Sequence, residues 1–263
     1  MGNFIGLESG LDSFDSVNTI VTSMIYVPPQ NHKNNIKNLS NNKNVKLFDL
    51  SYNNLKINVL QLTPINILHE NKVIIFSHGN ATDNYDMYTY LNLISTYLGV
   101  IIVSYDYPTY GLSEGKLSEN TCNNSLSIVM WHYLKLNKKI LLVGQSLGTG
   151  IVLDYVYHTK WLSPIMLISP YKSIPKVLID NDFIETCVAN NKYQSHEKIK
   201  NVICPIKIFH GNDDKLIDIS HSKYLYKNLQ NKTLKPVWLD NTEHNDILNK
   251  ITLDEYLVLL NLL

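Results

Sequence analysis

Ile140-Leu141-Leu142-Val143-Gly144-Gln145-Ser146-Leu147-Gly148 is the stretch on which the reading of this chain turns. Four apolar residues in a row are what a strand shows when both of its faces are buried. The residues beyond read as a helix over 147–158. A strand that delivers a serine through a tight turn into a helix is the context of a nucleophile elbow. The glycines have a physical task there. The turn forces Ser146 into a strained backbone conformation, and side chains at 144 and 148 would collide with the helix or a strand. The helix N-terminus behind Ser146 also favours developing negative charge.

Outward from this stretch, strands and helices alternate. Short strands are expected at 46–50 and 55–62, joined by a turn at Asn53-Asn54, then at 73–76, 100–103, 165–168, 206–209 and 237–239. Helices are expected at 91–98, 118–136, 220–229 and 251–263. That alternation predicts an α/β fold, a mostly parallel sheet with helices on both faces. The domain is expected over 46–263, with a small cap at about 170–200 where no strand pattern appears. Residues 1–45 read differently. Leu11, Phe14, Val17, Ile20, Val21, Met24 and Ile25 recur at helical spacing until Pro28-Pro29, and a polar, Asn-rich connector is expected over 30–45.

Composition narrows the function. The 263 residues carry 23 basic and 23 acidic side chains, for a formal net charge of +0, so nothing points to nucleic acid. Every basic residue other than His is Lys; no Arg fork is available for bidentate phosphate recognition. Cys122, Cys187 and Cys204 are odd in number, far apart and without metal-ligand spacing, which fits a reducing compartment and ordinary buried side chains. The N-terminus lacks the pattern of a secretory signal, and no apolar stretch approaches ~20 residues. A cytoplasmic protein is expected, its N-terminal amphipathic segment packing on the domain or, as the alternative, making peripheral membrane contact.

A serine hydroxyl is a weak nucleophile near neutral pH and needs a neighbouring base. On this type of sheet the order along the chain is Ser, then acid, then His. The loop after strand 206–209 reads His210-Gly211-Asn212-Asp213-Asp214, and the loop after strand 237–239 ends in His244-Asn245-Asp246. Both loops belong to the sheet edge where reacting groups gather. His244 is the expected base and an acid of the first loop its partner, with Asp213 and Asp214 both in position. Ser77-His78-Gly79-Asn80-Ala81 follows strand 73–76, where one oxyanion donor is expected; the backbone N–H groups of Leu147 and Asn80 are the candidates. His78 reads as structural. Tyr105, Tyr107 and Tyr110 read as packing residues and Gly111 as a turn. No metal or organic cofactor is required by this chemistry.

With these residues assembled, the chain resembles the α/β-hydrolase family, and within it the family-17 α/β-hydrolase-domain proteins, membrane-associated protein depalmitoylases. The matching stretches are Phe76-Ser77-His78-Gly79-Asn80-Ala81, Ser104-Tyr105-Asp106-Tyr107, Gly144 to Thr149, His210-Gly211 with Asp214, Ile217 and Asp218, and His244-Asn245-Asp246. The resemblance implies Ser146, Asp214 and His244 as a triad. It also implies hydrolysis of a thioester-linked acyl chain; the residues themselves point to an ester or thioester acyl group, on an acylated small molecule or a lipidated protein. Two departures stand out: residues 1–45 contain no cysteine, and Thr109 stands where many relatives have glycine. A serine peptidase, or a non-catalytic binding protein on the same fold, are the alternatives at this level.

Overall fold

The computed structural model describes residue 23, residues 25–178, residue 190 and residues 192–263. The strands are β1 (Val45–Tyr52), β2 (Leu55–Leu62), β3 (Lys72–Ser77), β4 (Ile101–Tyr105), β5 (Lys139–Gln145), β6 (Ile165–Ile168), β7 (Ile206–Gly211) and β8 (Val237–Leu239). They form one eight-stranded sheet in the order β1-β2-β4-β3-β5-β6-β7-β8. β2 runs antiparallel to both of its neighbours, and every other pairing is parallel. The helices are α1 (Lys33–Leu39), α2 (Asn84–Leu98), α3 (Glu119–Lys135), α4 (Leu147–Thr159), α5 (Ile174–Leu178), α6 (Ser195–Lys198), α7 (Ser220–Lys227) and α8 (Leu253–Asn261).

Strand alternation divides the core in two. Val73, Ile75, Ile140 and Leu142 point to one face, where Leu126 and Val129 of α3 and Ile151 and Val152 of α4 cover them. Ile74, Phe76, Leu141 and Val143 point to the other, under Met87, Leu91 and Ile94 of α2 and Tyr256 and Leu259 of α8. Each such side chain contributes roughly 1.5–3 kcal/mol by leaving water. Since β3 and β5 are covered on both faces, their sequences are continuous apolar runs rather than alternating ones. In register, Ser77 lies beside Gly144, and Gln145 beside Ile168. The C-terminal ends of β3, β5 and β6 therefore reach one common edge.

Helix ends follow from local chemistry. Ser118 accepts the Thr121 amide hydrogen while the Thr121 hydroxyl takes the Ser118 amide, a reciprocal cap that starts α3 where the sequence predicts it. α2 begins seven residues before the expected 91. Its first turns are polar and hide the apolar spacing, but Asp83 caps them by accepting from the amides of Tyr85 and Asp86.

The polar connector expected over 30–45 is corrected by the structure. Residues 33–39 are helix α1, and β1 already begins at Val45. Ile36 and Leu39 of α1 are buried, two apolar positions one turn apart in a polar run. Ile25 and Tyr26, ahead of Pro28-Pro29, are also core residues. The rest of the expected amphipathic segment, residues 11–22 and Met24, lies outside the described residues, as do residues 179–189, Cys187 among them, and residue 191 of the expected cap. At the two ends of that cap stretch the chain forms α5 and α6. No helix among the described residues is long and apolar enough to cross a membrane.

Candidate active site

Ser146 stands between β5 and α4 with φ 48° and ψ −118°. A positive φ is costly for any residue with a Cβ. The conformation is held from both sides: the Ser146 amide donates to Ile168 O at 2.9 Å, and the Thr149 hydroxyl donates to Ser146 O at 2.6 Å. Glycine is required nearby for space. A Cβ on Gly144 would lie 2.7 Å from Gly148 O, and one on Gly148 would overlap the Ser77 carbonyl of β3. The two expected collisions, with helix and with strand, are thus both present.

Asp214 sits in the loop after β7 and His244 in the loop after β8. His244 Nδ1 lies 2.7 Å from Asp214 Oδ2, and His244 Nε2 lies 3.0 Å from Ser146 Oγ. A carboxylate only accepts, so Nδ1 carries the proton and Nε2 is left to accept from the serine. The residues expected from sequence come together as one hydrogen-bonded chain from Asp214 to Ser146. Of the neighbouring acids, Asp213 is exposed, whereas Asp214 is buried. Asp218 accepts from the Ser220 amide, and Asp246 from the Glu243 amide, so both hold turns.

Burial would raise the Asp214 carboxyl. Hydrogen bonds with His210 and His244, the His244 charge and the Ile217 amide outweigh it and hold the carboxyl far below the usual carboxylate range. His210 received no role from the sequence, yet its Nε2 lies 3.3 Å from Asp214 Oδ2 while donating to Ile217 O at 2.7 Å. The hints were its place at the end of a buried strand and its membership of the matching stretch His210-Gly211. A depressed carboxyl adds stability above its unfolded value of ~3.9, and loses it as pH falls toward the folded value. The stability gap between wild type and Asp214→Asn is therefore expected to shrink by about 1 kcal/mol between about pH 5 and about pH 3. Urea unfolding at each pH measures it; a constant gap would contradict this account.

Leu147 is the first residue of α4, so its N–H has no helical acceptor. Among the described residues, no group of the chain accepts from the amide of Leu147 or of Asn80. Both residues line a cleft of about 120 Å³ at Ser146. The remaining lining is apolar apart from the Tyr171 hydroxyl: Ile25 from the N-terminal stretch, Ile174, Val177 and Leu178 of α5, and Leu216 and Ile217 beside Asp214.

The tyrosines of the β4 loop pack, as expected, and also brace the loop after β3. Tyr105 bonds Ser77 Oγ at 2.7 Å, Tyr107 donates to His78 O at 2.6 Å, and Tyr110 donates to Asn80 Oδ1 at 2.6 Å. His78 is fully buried with Nδ1 2.8 Å from Gly79 O, a structural position. Thr109 adopts φ 73°, so the loop keeps the conformation that glycine favours without having glycine there. Gly111, at φ 48°, turns the chain against the Asp106 carboxylate. The thiols of Cys122 and Cys204 are buried and pushed up to about 12, which makes both poor nucleophiles.

No family model matches the chain. A protein of Acanthamoeba polyphaga mimivirus named as an α/β hydrolase is 40% identical over 257 residues, spanning 95% of this chain and 97% of that protein. The α/β-hydrolase domain-containing protein 17C of Xenopus tropicalis is 32% identical over 179 residues, or 66% of this chain. The match spans 56% of that relative's length. Among solved structures, Est1E of Butyrivibrio proteoclasticus with ferulic acid bound superposes with a TM-score of 0.68 at 16% identity, covering 80% of this chain and 98% of that one. An esterase of Pyrococcus furiosus gives 0.66 at 16% identity, over 89% and 94%. The sheet order, the serine turn and the full-length relationship to a named α/β hydrolase agree: this chain belongs to the α/β-hydrolase family.

Proposed function

We propose that this protein is a serine hydrolase that cleaves an ester or thioester acyl bond through an acyl-enzyme. What carries the reading is the unbroken hydrogen-bonded chain Asp214–His244–Ser146 opening onto an apolar cleft. His244 Nε2 takes the Ser146 proton as Oγ attacks the acyl carbonyl. Asp214 holds the imidazole in the required tautomer and stabilises the imidazolium that forms. The amides of Leu147 and Asn80 receive the negative charge that develops on the carbonyl oxygen. The imidazolium then protonates the departing thiolate or alkoxide, and water repeats the sequence on the acyl-enzyme.

The cleft lining takes hydrocarbon, and the resemblance of the motif stretches to the family-17 depalmitoylases favours an acylated protein as carrier, with depalmitoylation as the narrower reading. The test is fluorophosphonate labelling of wild type beside Ser146→Ala, with ester and thioester substrates of graded chain length. Labelling confined to wild type, with turnover that favours longer acyl thioesters, is expected. A folded wild type that neither labels nor turns over any acyl substrate would overturn the proposal.

A further inference from the structure

We infer that the Asn80 side chain is a positioning group for acyl transfer, and that residues 25–27 belong to the active site because they hold it. This rests on the serine hydrolase reading above, in which the Asn80 backbone amide is an oxyanion donor.

The loop that carries this amide has no ladder to fix it. β3 ends at Ser77, and Ala81 turns the chain with φ 56°. Its carbonyls are held by neighbours: Tyr107 donates to His78 O, and the Thr82 hydroxyl to Gly79 O at 3.2 Å. The Asn80 side chain makes a different connection. Its Oδ1 accepts the Val27 amide at 2.9 Å and the Tyr110 hydroxyl at 2.6 Å, which occupies both lone pairs. A neutral, short, two-lone-pair acceptor is what the position demands. A carboxylate of the same length would add negative charge beside a developing oxyanion, and a longer amide would push the loop away.

Val27 is itself anchored. The preceding Tyr26 is buried and bonds Tyr193 hydroxyl to hydroxyl at 2.8 Å, and Ile25 walls the cleft at Ser146. A stretch that precedes the first strand of the sheet by eighteen residues, Val27 to Val45, thus reaches back to the reacting edge. Oxyanion donors act only when preorganised, and a misplacement of about 1 Å can cost on the order of 10²-fold in rate.

The experiment uses the full chain and a short acyl thioester, with wild type, Ser146→Ala, Asn80→Ala, Tyr110→Phe and the Asn80→Ala/Tyr110→Phe double variant. Asn80→Ala is expected to lower kcat by about 10–100-fold with KM within about threefold. Tyr110→Phe, which leaves the Val27 contact, loses less. If Tyr110 acts through Asn80, the double variant is no slower than Asn80→Ala alone. Multiplied losses in the double variant, unchanged kcat in Asn80→Ala, or a loss confined to KM overturns the inference while leaving the hydrolase reading intact. An inactive wild type overturns both. Should Asn80→Ala fail to fold, Tyr110→Phe decides, since it removes one oxygen and keeps the ring: unchanged kcat refutes the tether, and a kcat loss at constant KM and constant melting temperature supports it.

Discussion

His244→Ala is expected to lower kcat by roughly 10⁴–10⁶-fold and to leave KM almost unchanged. The size follows from what the imidazole does. Without Nε2 at 3.0 Å, the Ser146 hydroxyl keeps its proton and attacks as a neutral alcohol. At about 1.36 kcal/mol per tenfold, the loss is about 5–8 kcal/mol of transition-state stabilisation. KM is spared because His244 is not among the residues that line the cleft. Some catalysis remains, since the amides of Leu147 and Asn80 still meet the oxyanion. Steady-state kinetics on an activated acyl ester measures both constants. A fall of less than tenfold in kcat would mean that another group takes the serine proton, and the assignment of His244 would be wrong.

Gly148→Ala carries the largest expected effect on stability. Position 148 lies in the first turn of α4, where intrinsic propensity alone favours Ala over Gly by about 1 kcal/mol. Space reverses the sign. The added Cβ would run into the backbone carbonyls of Ser77 and His78, which β3 and its loop cannot withdraw without breaking the register with β5. A net loss above about 3 kcal/mol is expected, seen as a drop of roughly 6–12 °C in Tm. Gly79→Ala is the control. Its Cβ would meet Ser146 Cβ at 3.5 Å, ordinary contact, so the global stability changes by less than about 0.5 kcal/mol. Equal melting temperatures for Gly148→Ala and wild type would show that helix and strand do not approach as closely as this packing requires.

Much of this was legible in the chain because it is local. A buried strand, a glycine-flanked serine and a helix start follow one another within a dozen residues, and each has a short-range signature in burial period, turn chemistry or capping. The loops that carry Asp214 and His244 could be placed because each follows its own strand, and the family resemblance, not the strand order, singled out Asp214 over Asp213. What remained hidden involved polar stretches without periodicity, or partners far apart in sequence. Helix α1 carries just two buried side chains, so its pattern is too sparse to distinguish from a connector. His210 belongs to a matching stretch, His210-Gly211, but its contact with Asp214 exists only across a folded loop.

By itself, then, the sequence determined the α/β architecture, the strained turn at Ser146 and the order serine, acid, histidine. Tertiary structure alone decided which atoms meet. Ser146 and His244 are separated by 98 positions, His244 and Asp214 by 30, and Val27 and Asn80 by 53. Their contacts depend on the strand order β1-β2-β4-β3-β5-β6-β7-β8 and on the register that brings the C-terminal ends of β3, β5 and β6 to one edge. The physical reason is one of range. Backbone propensity and burial period act over a few residues, whereas a side-chain contact exists only once the two cores on either face of the sheet have fixed where every strand lies.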